Sequence, residues 1–358
     1  MSKKVLIAMS GGVDSSVAAY LMKLQGYDCI GVTMKLFHNE DIGVSRTKTC
    51  CSLDDVEDAR SVAYSLGIPY YVFNFKDDFR SQVINRFVSA YENGTTPNPC
   101  IDCNRYLKFE RLYRRAKEIG YNTIVTGHYA RIEKENGRYL LKKALDTSKD
   151  QSYVLYSMTQ EQLAHTKFPL GEIKKSETRQ IAEEQGFFNA NKADSQDICF
   201  IPDGDYAGFI EHYTGKHYTH GDFISTDGQL LGRHKGIIHY TIGQRKGLGI
   251  SSRSPLYVCA IEADSNKIVL GYNDDLFLKE LDADNFNWIA FDTPPEKLRA
   301  KAKIRYSQKE QAVTVSTSNK SIVHIVFDEP QRAVTKGQAI VLYGGDTVLG
   351  GGVISNAK

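Results

Sequence analysis

The sequence predicts an α/β protein with an N-terminal doubly wound parallel sheet, a small mixed central region and a C-terminal β-barrel. Up to about residue 130, short apolar runs alternate with helical stretches, the pattern of a parallel sheet covered on both faces. The first apolar run ends in a glycine turn that opens directly into a helix. Beyond residue 278 the helical period disappears, and short strands follow one another between Gly, Asp, Asn and Pro turns.

Residues 5–9 (VLIAM) form the first apolar run, bounded by Ser10, Gly11 and Gly12; beyond it Val17, Leu21 and Leu24 recur at helical spacing. CIGVTM (29–34), YYVFNF (70–75) and TIVTGHYA (123–130) read as further strands, and DDVEDARSVAYSLG (54–67) as a helix between them. Helical patterns persist through TRQIAEEQGF (178–187), so the first domain is expected to span 1–204. A central domain of 205–277 contains the glycine-rich basic run HKGIIHYTIGQRKGLGI (234–250). The strands RAKAKIRYS, QAVTVSTS, SIVHIVFD and QAIVLYGGDTVLGGGVIS then build a barrel domain over 278–358.

Glycines between a strand and a helix let successive N–H groups converge on an anion at the helix's positive end. Phosphate fits that cradle. The stretch SGGVDSS (10–16) is neither a Walker loop, which needs a following lysine, nor a dinucleotide fingerprint. It offers instead the hydroxyls of Ser10, Ser15 and Ser16, with Asp14 as a carboxylate able to hold Mg²⁺. A plain Gly-Gly turn is the competing reading.

The 358 residues suffice for two or three domains, and 25% charged with 41% hydrophobic residues is ordinary for a soluble globular chain. The opening MSKKVLIAMSGG has too short an apolar stretch for a signal peptide, and no segment approaches a membrane span, so a cytoplasmic protein with no membrane partner is expected. In that setting seven cysteines read as thiols for chemistry or metal rather than as a disulfide framework. A net charge of +2 and a pI near 8.0 neither require nor exclude nucleic acid.

Cys100 and Cys103 stand in NPCIDCN, read as a loop ahead of a helix beginning near Tyr106. A zinc half-site is weakly supported because Cys50 and Cys51 are adjacent, a poor spacing for chelation, and an inert pair is also open. A thiol ahead of a helix N-terminus would instead have a lowered pKa and be nucleophilic. Cys199 in DSQDICFI reads either as a buried hydrophobe or as a reactive thiol. The helix RYLKFERLYRRAKEIG (105–120) puts Phe109, Leu112, Tyr113 and Ala116 on one face and Lys108, Arg111 and Arg115 on another, a solvated face or a phosphate contact. Arg245 and Lys246 stand among glycines in GQRKGLG, where backbone amides could approach phosphate.

SGGVDSS resembles the pyrophosphate loop of the ATP pyrophosphatases, which split ATP between its α and β phosphates and leave AMP on a substrate oxygen. With TPNPCIDCNRYLKF (96–109), TGHYAR, KDQSYVL, DSQDICFI, YTIGQRKGLGI and the terminal GQAIVLYGGDTVLGGGVI in the same order, nearly the whole chain resembles the tRNA uridine 2-sulfurtransferases, or tRNA-specific 2-thiouridylases. The resemblance implies an adenine-nucleotide α-hydrolase-like first domain and ATP contacts at Ala8, Met9, Ser10, Gly11, Gly12, Val13, Asp14, Ser15, Met34 and Gly127. Cys103 is similar to the family nucleophile, and Cys199 to the residue that carries a persulfide. Asn98, Pro99 and Cys100 fall where the family meets the target base. His128, Lys149, Asp150, Gln151, Arg305, Tyr306 and Gln338 match tRNA-contacting positions. The implied cofactors are ATP and Mg²⁺, and the implied partners are tRNA and a sulfur donor, either a cysteine desulfurase or a sulfur relay protein. Many relatives carry aspartate where this chain has Cys100, so thiolates at 100, 103 and 199 would also suit a [4Fe-4S] cluster. Two rivals remain at this stage: another adenylating synthetase with the same loop, and a non-catalytic RNA-binding protein with an iron-sulfur sensor.

Overall fold

The computed structural model describes residues 3–37, 53–194, 198–317 and 321–358. These residues divide into two compact units: Met1–Val83 with Cys100–Gly204 and Gly345–Val348, and Ile84–Pro99 with Asp205–Gly344 and Leu349–Lys358.

The first unit is built on β1 (Lys4–Ala8), β2 (Asp28–Lys35), β3 (Tyr70–Asn74), β4 (Ile124–Val125) and, after the hairpin β5 (Ala130–Glu135) and β6 (Arg138–Lys143), β7 (Thr166–Lys167). Five of these make a parallel sheet in the order β3-β2-β1-β4-β7. Strand β1 lies between β2 and β4, with Leu6 opposite both Ile30 and Ile124, and Val5, Leu6 and Ile7 are fully buried. A strand covered on both faces has no polar side to alternate, hence the unbroken apolar run. Helix α1 (Val13–Leu24) packs Val17, Ala18 and Met22 into the same core as Val5 and Ile7. Its neighbour α2 (Leu53–Ser65) adds Ala59, Val62 and Ala63. Strand order reverses between β1 and β4, so the glycine loop after β1 and the TGH turn after β4 flank one crevice at the carboxyl ends of the strands.

Two local expectations change. TIVTGHYA is not one strand: β4 stops at Val125, and Ala130 opens the antiparallel hairpin, with Gly127 in the bend between them. The cysteine pair does not precede its helix. Helical structure begins at Pro99 and runs through Pro99–Asp102, Cys103–Arg111 and Leu112–Glu118, the middle segment wound as a π-helix. Proline at a first helical position needs no N–H partner, which favours the earlier start.

In the second unit, residues 84–99 pack with the central region because Phe87 and Tyr91 lie against Tyr206, both with ring centroids 6.2 Å apart, and Lys216 pairs with Glu92 at 2.7 Å. A mixed sheet follows, β8 (Gly221–Ser225), β9 (Leu230–His234), β10 (Tyr257–Glu262) and β11 (Lys267–Gly271), in the order β10-β11-β8-β9. Then come β12 (Phe277–Trp288), β13 (Lys297–Lys303), β14 (Gln311–Ser316), β15 (Val323–Arg332), β16 (Ala339–Gly344) and β17 (Thr347–Ala357). They form an antiparallel barrel in the order β12-β15-β14-β13-β16-β17, closed by β12 on β17. Alternate residues point inward, and Val313, Val315, Val323, Ile325 and Phe327 fill the interior. Phe327 is 1% exposed. Phe327→Ala should therefore cost about 3–5 kcal/mol of barrel stability, read as a lower denaturant midpoint in the fluorescence of Trp288, the chain's single tryptophan.

Candidate active site

The glycine loop is held rigidly by its own chain. Gly11 has φ +77°, and a Cβ there would overlap the Asp55 carbonyl oxygen, so only glycine fits. The Gly11 carbonyl accepts from Asn189 Nδ2 at 3.0 Å, and Lys192 Nζ lies 3.4 Å away. Ser15 Oγ donates to Gly12 O at 3.0 Å and accepts from the Ser10 amide at 3.2 Å. Ser16 is wholly buried and also donates to Gly12 O, at 3.1 Å, while accepting from Asn189 Nδ2. Its hydroxyl braces the loop rather than facing a ligand, contrary to the expectation from sequence. Val13 and Met9 are core residues, and the Met9 carbonyl accepts from Thr33 Oγ1 at 2.6 Å. Ala8 ends β1, and Met34 lies near the end of neighbouring β2. No side chain caps the N-terminus of α1, and Ser10 is exposed at the loop.

Gly127 closes the other wall. A Cβ on it would stand 2.7 Å from the Asp14 carbonyl carbon and 2.8 Å from the Ser15 nitrogen, so the TGH turn meets the start of α1 backbone to backbone. This cradle fits the phosphates of ATP: glycine backbone on two sides, an uncapped helix end on the third. His128 is buried between the rings of Phe109 and Phe168, at 5.9 and 5.8 Å, with Nδ1 2.6 Å from Thr126 Oγ1. Burial, reinforced by Lys108, holds its pKa well below the usual imidazole value, so it is neutral at physiological pH.

Asp14 is not an open carboxylate. Lys175 Nζ lies 2.7 and 2.8 Å from its two oxygens, and the Tyr129 hydroxyl donates to it at 2.9 Å. Lys175 also reaches Asp194 at 2.7 Å, and Asp194 is held in addition by Lys149 at 2.8 Å and Arg179 at 3.2 Å. Burial pushes the Asp194 carboxyl up, but the Lys149 and Lys175 contacts outweigh it and hold it below the usual carboxylate range. Lys175 was not anticipated from sequence. A signal existed: Lys174 and Lys175 open the helix Lys175–Glu184, and cations at a helix start oppose its dipole. Of the other residues expected to meet RNA, Gln151 Oε1 accepts from the Tyr129 amide at 2.9 Å, and Asp150 caps its own turn through Ser152 Oγ at 2.7 Å.

Cys100 is exposed and Cys103 buried. Burial pushes the Cys103 thiol up to about 11, against the opposing pull of Lys108. This reverses the expectation of a lowered pKa, because Cys103 lies inside helical structure and away from water rather than ahead of a helix end. Cys199 is half-buried in a turn. Both segments lean on the short helix Lys76–Phe79: Phe200 meets Phe79 edge-on at 5.6 Å, and Arg111 pairs with Asp78 at 2.9 Å. Phe109, Leu112, Tyr113 and Ala116 are buried as the helical pattern predicts. Among the described residues no three His, Cys, Asp or Glu side chains converge to hold a metal ion. Cys50, Cys51 and residues 195–197 lie outside the described residues.

In the second unit, Gln338 Nε2 donates to Thr96 O at 2.8 Å and to Pro97 O at 3.3 Å, tethering the segment that leads to Asn98 and Pro99. Arg305 Nη2 donates to Ala333 O at 2.5 Å, and Tyr306 is 43% exposed beneath Lys303. Among the described residues no helix is long and apolar enough to cross a membrane.

A parallel sheet with a glycine turn at its strand-order reversal defines a doubly wound α/β protein, the layout in which ligands bind beyond the carboxyl ends of the strands. The family described as tRNA methyl transferase HUP domain matches residues 3–203, with a PRC-barrel domain of that family over 207–272 and an aminomethyltransferase β-barrel domain over 278–354. A tRNA-specific 2-thiouridylase MnmA from Clostridioides difficile (strain 630) is 54% identical across 100% of this chain and 99% of its own. One of the same name from Clostridium acetobutylicum is 51% identical across 99% and 100%. The chain belongs to the tRNA-specific 2-thiouridylase family of sulfurtransferase enzymes.

The thiols should separate by reactivity. At pH 8 Cys103, with a pKa near 11, is thiolate in roughly one molecule per thousand. Iodoacetamide should label Cys100 first, with Cys103 labelling rising steeply between pH 9 and about 11. Peptide mass spectrometry reads both sites, and fast labelling of Cys103 at pH 7 would contradict its burial.

Proposed function

We propose that this protein uses ATP to replace O2 of the wobble uridine of tRNA with sulfur, acting in the cytoplasm. The single observation that carries the reading is the Gly127 backbone seated against Asp14 and Ser15, which sets the two glycine turns side by side at the start of α1, in the same unit as Cys103 and Cys199.

A uracil C2 carbonyl has no leaving group, so its oxygen attacks the α-phosphorus of ATP, the bond to the β-phosphate oxygen breaks, and pyrophosphate departs with the electron pair. The terminal sulfur of a Cys199 persulfide then attacks C2 and AMP leaves. Cys103 thiolate attacks the Cys199 sulfur, releasing thiouridine and forming a Cys103–Cys199 disulfide that an external thiol reduces. Cys103 must lose its proton first, so this step requires a change in the surroundings that now bury it. The sulfur donor, a cysteine desulfurase or relay protein, reloads Cys199.

The target base leaves the anticodon stack to enter the site. Asn98, Pro99 and Cys100 receive it, while Lys149, Gln151, Arg305, Tyr306 and Gln338 serve the tRNA directly or by bracing the segments that do. Mg²⁺ bound with ATP would neutralise phosphate charge. The functional division is 1–204 for chemistry, with 205–277 and 278–358 for tRNA. Family membership favours this over a non-catalytic iron-sulfur protein or another adenylating synthetase.

Cys199→Ser should fail to take labelled sulfur from a desulfurase, whereas Cys103→Ser should load sulfur yet yield no 2-thiouridine. Intact-protein and nucleoside mass spectrometry read the two steps. A persulfide confined to Cys103 would reverse the roles, and thiolation by an enzyme lacking Cys199 would refute the route.

A further inference from the structure

We propose that a cleft beside the end of β15 takes one nucleotide of tRNA, with Arg332 holding its phosphate. The proposal rests on tRNA as the substrate.

The cleft has a volume of about 470 Å³, and its walls include Phe277, Arg305, Gln308, Gln331 and Arg332, all within the second unit. Two arginines stand there against one carboxylate, Glu329, so the cleft favours an anion. Gln308 Nε2 donates to Gln331 Oε1 at 2.8 Å and makes a polar wall, while the Phe277 ring, 43% exposed, makes an apolar one. RNA brings a phosphate with every residue, and an aromatic ring beside it takes the base by stacking.

Arg332 is oriented before any ligand arrives. Its Nε donates to Asn273 Oδ1 at 3.1 Å, and its guanidinium carbon lies 5.1 Å from the centroid of the Tyr257 ring. Those contacts fix the plane of the fork and use one of its five N–H groups. Among the described residues the two outer nitrogens have no partner, and Arg332 pairs with no carboxylate. A guanidinium held at Nε with both outer nitrogens open is the arrangement that grips a phosphate through two parallel hydrogen bonds. Positive charge continues from it. A Cβ on Gly243 would stand 3.8 Å from Arg332 Nη1, and the exposed Arg245 and Lys246 follow two and three positions later. The glycine-rich basic run therefore begins beside this guanidinium, where it extends the track for an RNA backbone.

Fluorescence titration of the full-length protein with an unmodified tRNA carrying uridine at the wobble position, from about 50 to 200 mM salt, tests this in wild type, Arg332→Gln, Arg332→Lys and Phe277→Ala. Arg332→Gln should lower the salt slope of binding by roughly 0.7 to 0.9, and Arg332→Lys should bind more weakly than wild type while keeping its slope. Phe277→Ala should lose about fivefold or more in affinity with the slope unchanged. A partly unfolded variant loses apparent affinity equally at every salt concentration, so a structural defect does not imitate a change in slope. An unchanged slope in Arg332→Gln, a slope lost equally in Arg332→Lys, or unchanged affinity in Phe277→Ala overturns the subsite. Wild-type protein that binds no tRNA would overturn the tRNA reading itself, a result separate from any variant's behaviour.

Discussion

The nucleotide end of this protein depends on one close approach: the backbone of Gly127 against the backbone of Asp14 and Ser15. No side chain fits between them. The contact joins the turns after β1 and β4, the two strands between which the sheet order reverses, and so converts two separate loops into one cradle. Asn189 and Lys192 hold the Gly11 carbonyl from behind, so the loop's shape is supported by residues far along the chain. Such over-determination keeps backbone donors aimed at a ligand without reorganisation.

Charge around the cradle is arranged in a chain rather than in isolated pairs. Asp14 meets Lys175, Lys175 meets Asp194, and Asp194 meets Lys149 and Arg179. A buried pair broken on one side leaves an uncompensated charge, whereas a chained set redistributes its partners. Lys149, expected from the family resemblance to meet tRNA, is thereby also linked to the glycine loop through Asp194 and Lys175.

The cysteines show the opposite economy. Cys103 sits at the start of a π-helical segment, with its thiol buried and protonated. Wide helical turns of this kind recur at functional sites because they place a side chain where a regular helix would not. A thiol held neutral by burial does not react with stray oxidants, since the thiolate is the reactive form.

Much of the fold was legible because local chemistry dictates it. The apolar run of β1, the glycine turn after it and the inward alternation of β13 to β15 follow from burial and backbone sterics over a few residues. The loop glycines could be named for the same reason, whereas the roles expected of Cys103 and Cys199 came from the family resemblance alone. What the chain order could not reveal was decided by tertiary contact. Ser16 points inward because Asn189 meets it from 173 positions away. His128 is neutral because Phe109 and Phe168 enclose it, and the Cys103 pKa rises rather than falls because burial outweighs any helix-end effect. Lys175 reaches Asp14 only once the sheet has brought the helix Lys175–Glu184 against α1. Electrostatic environment is a property of spatial neighbours, and sequence spacing specifies those only within a turn or a strand.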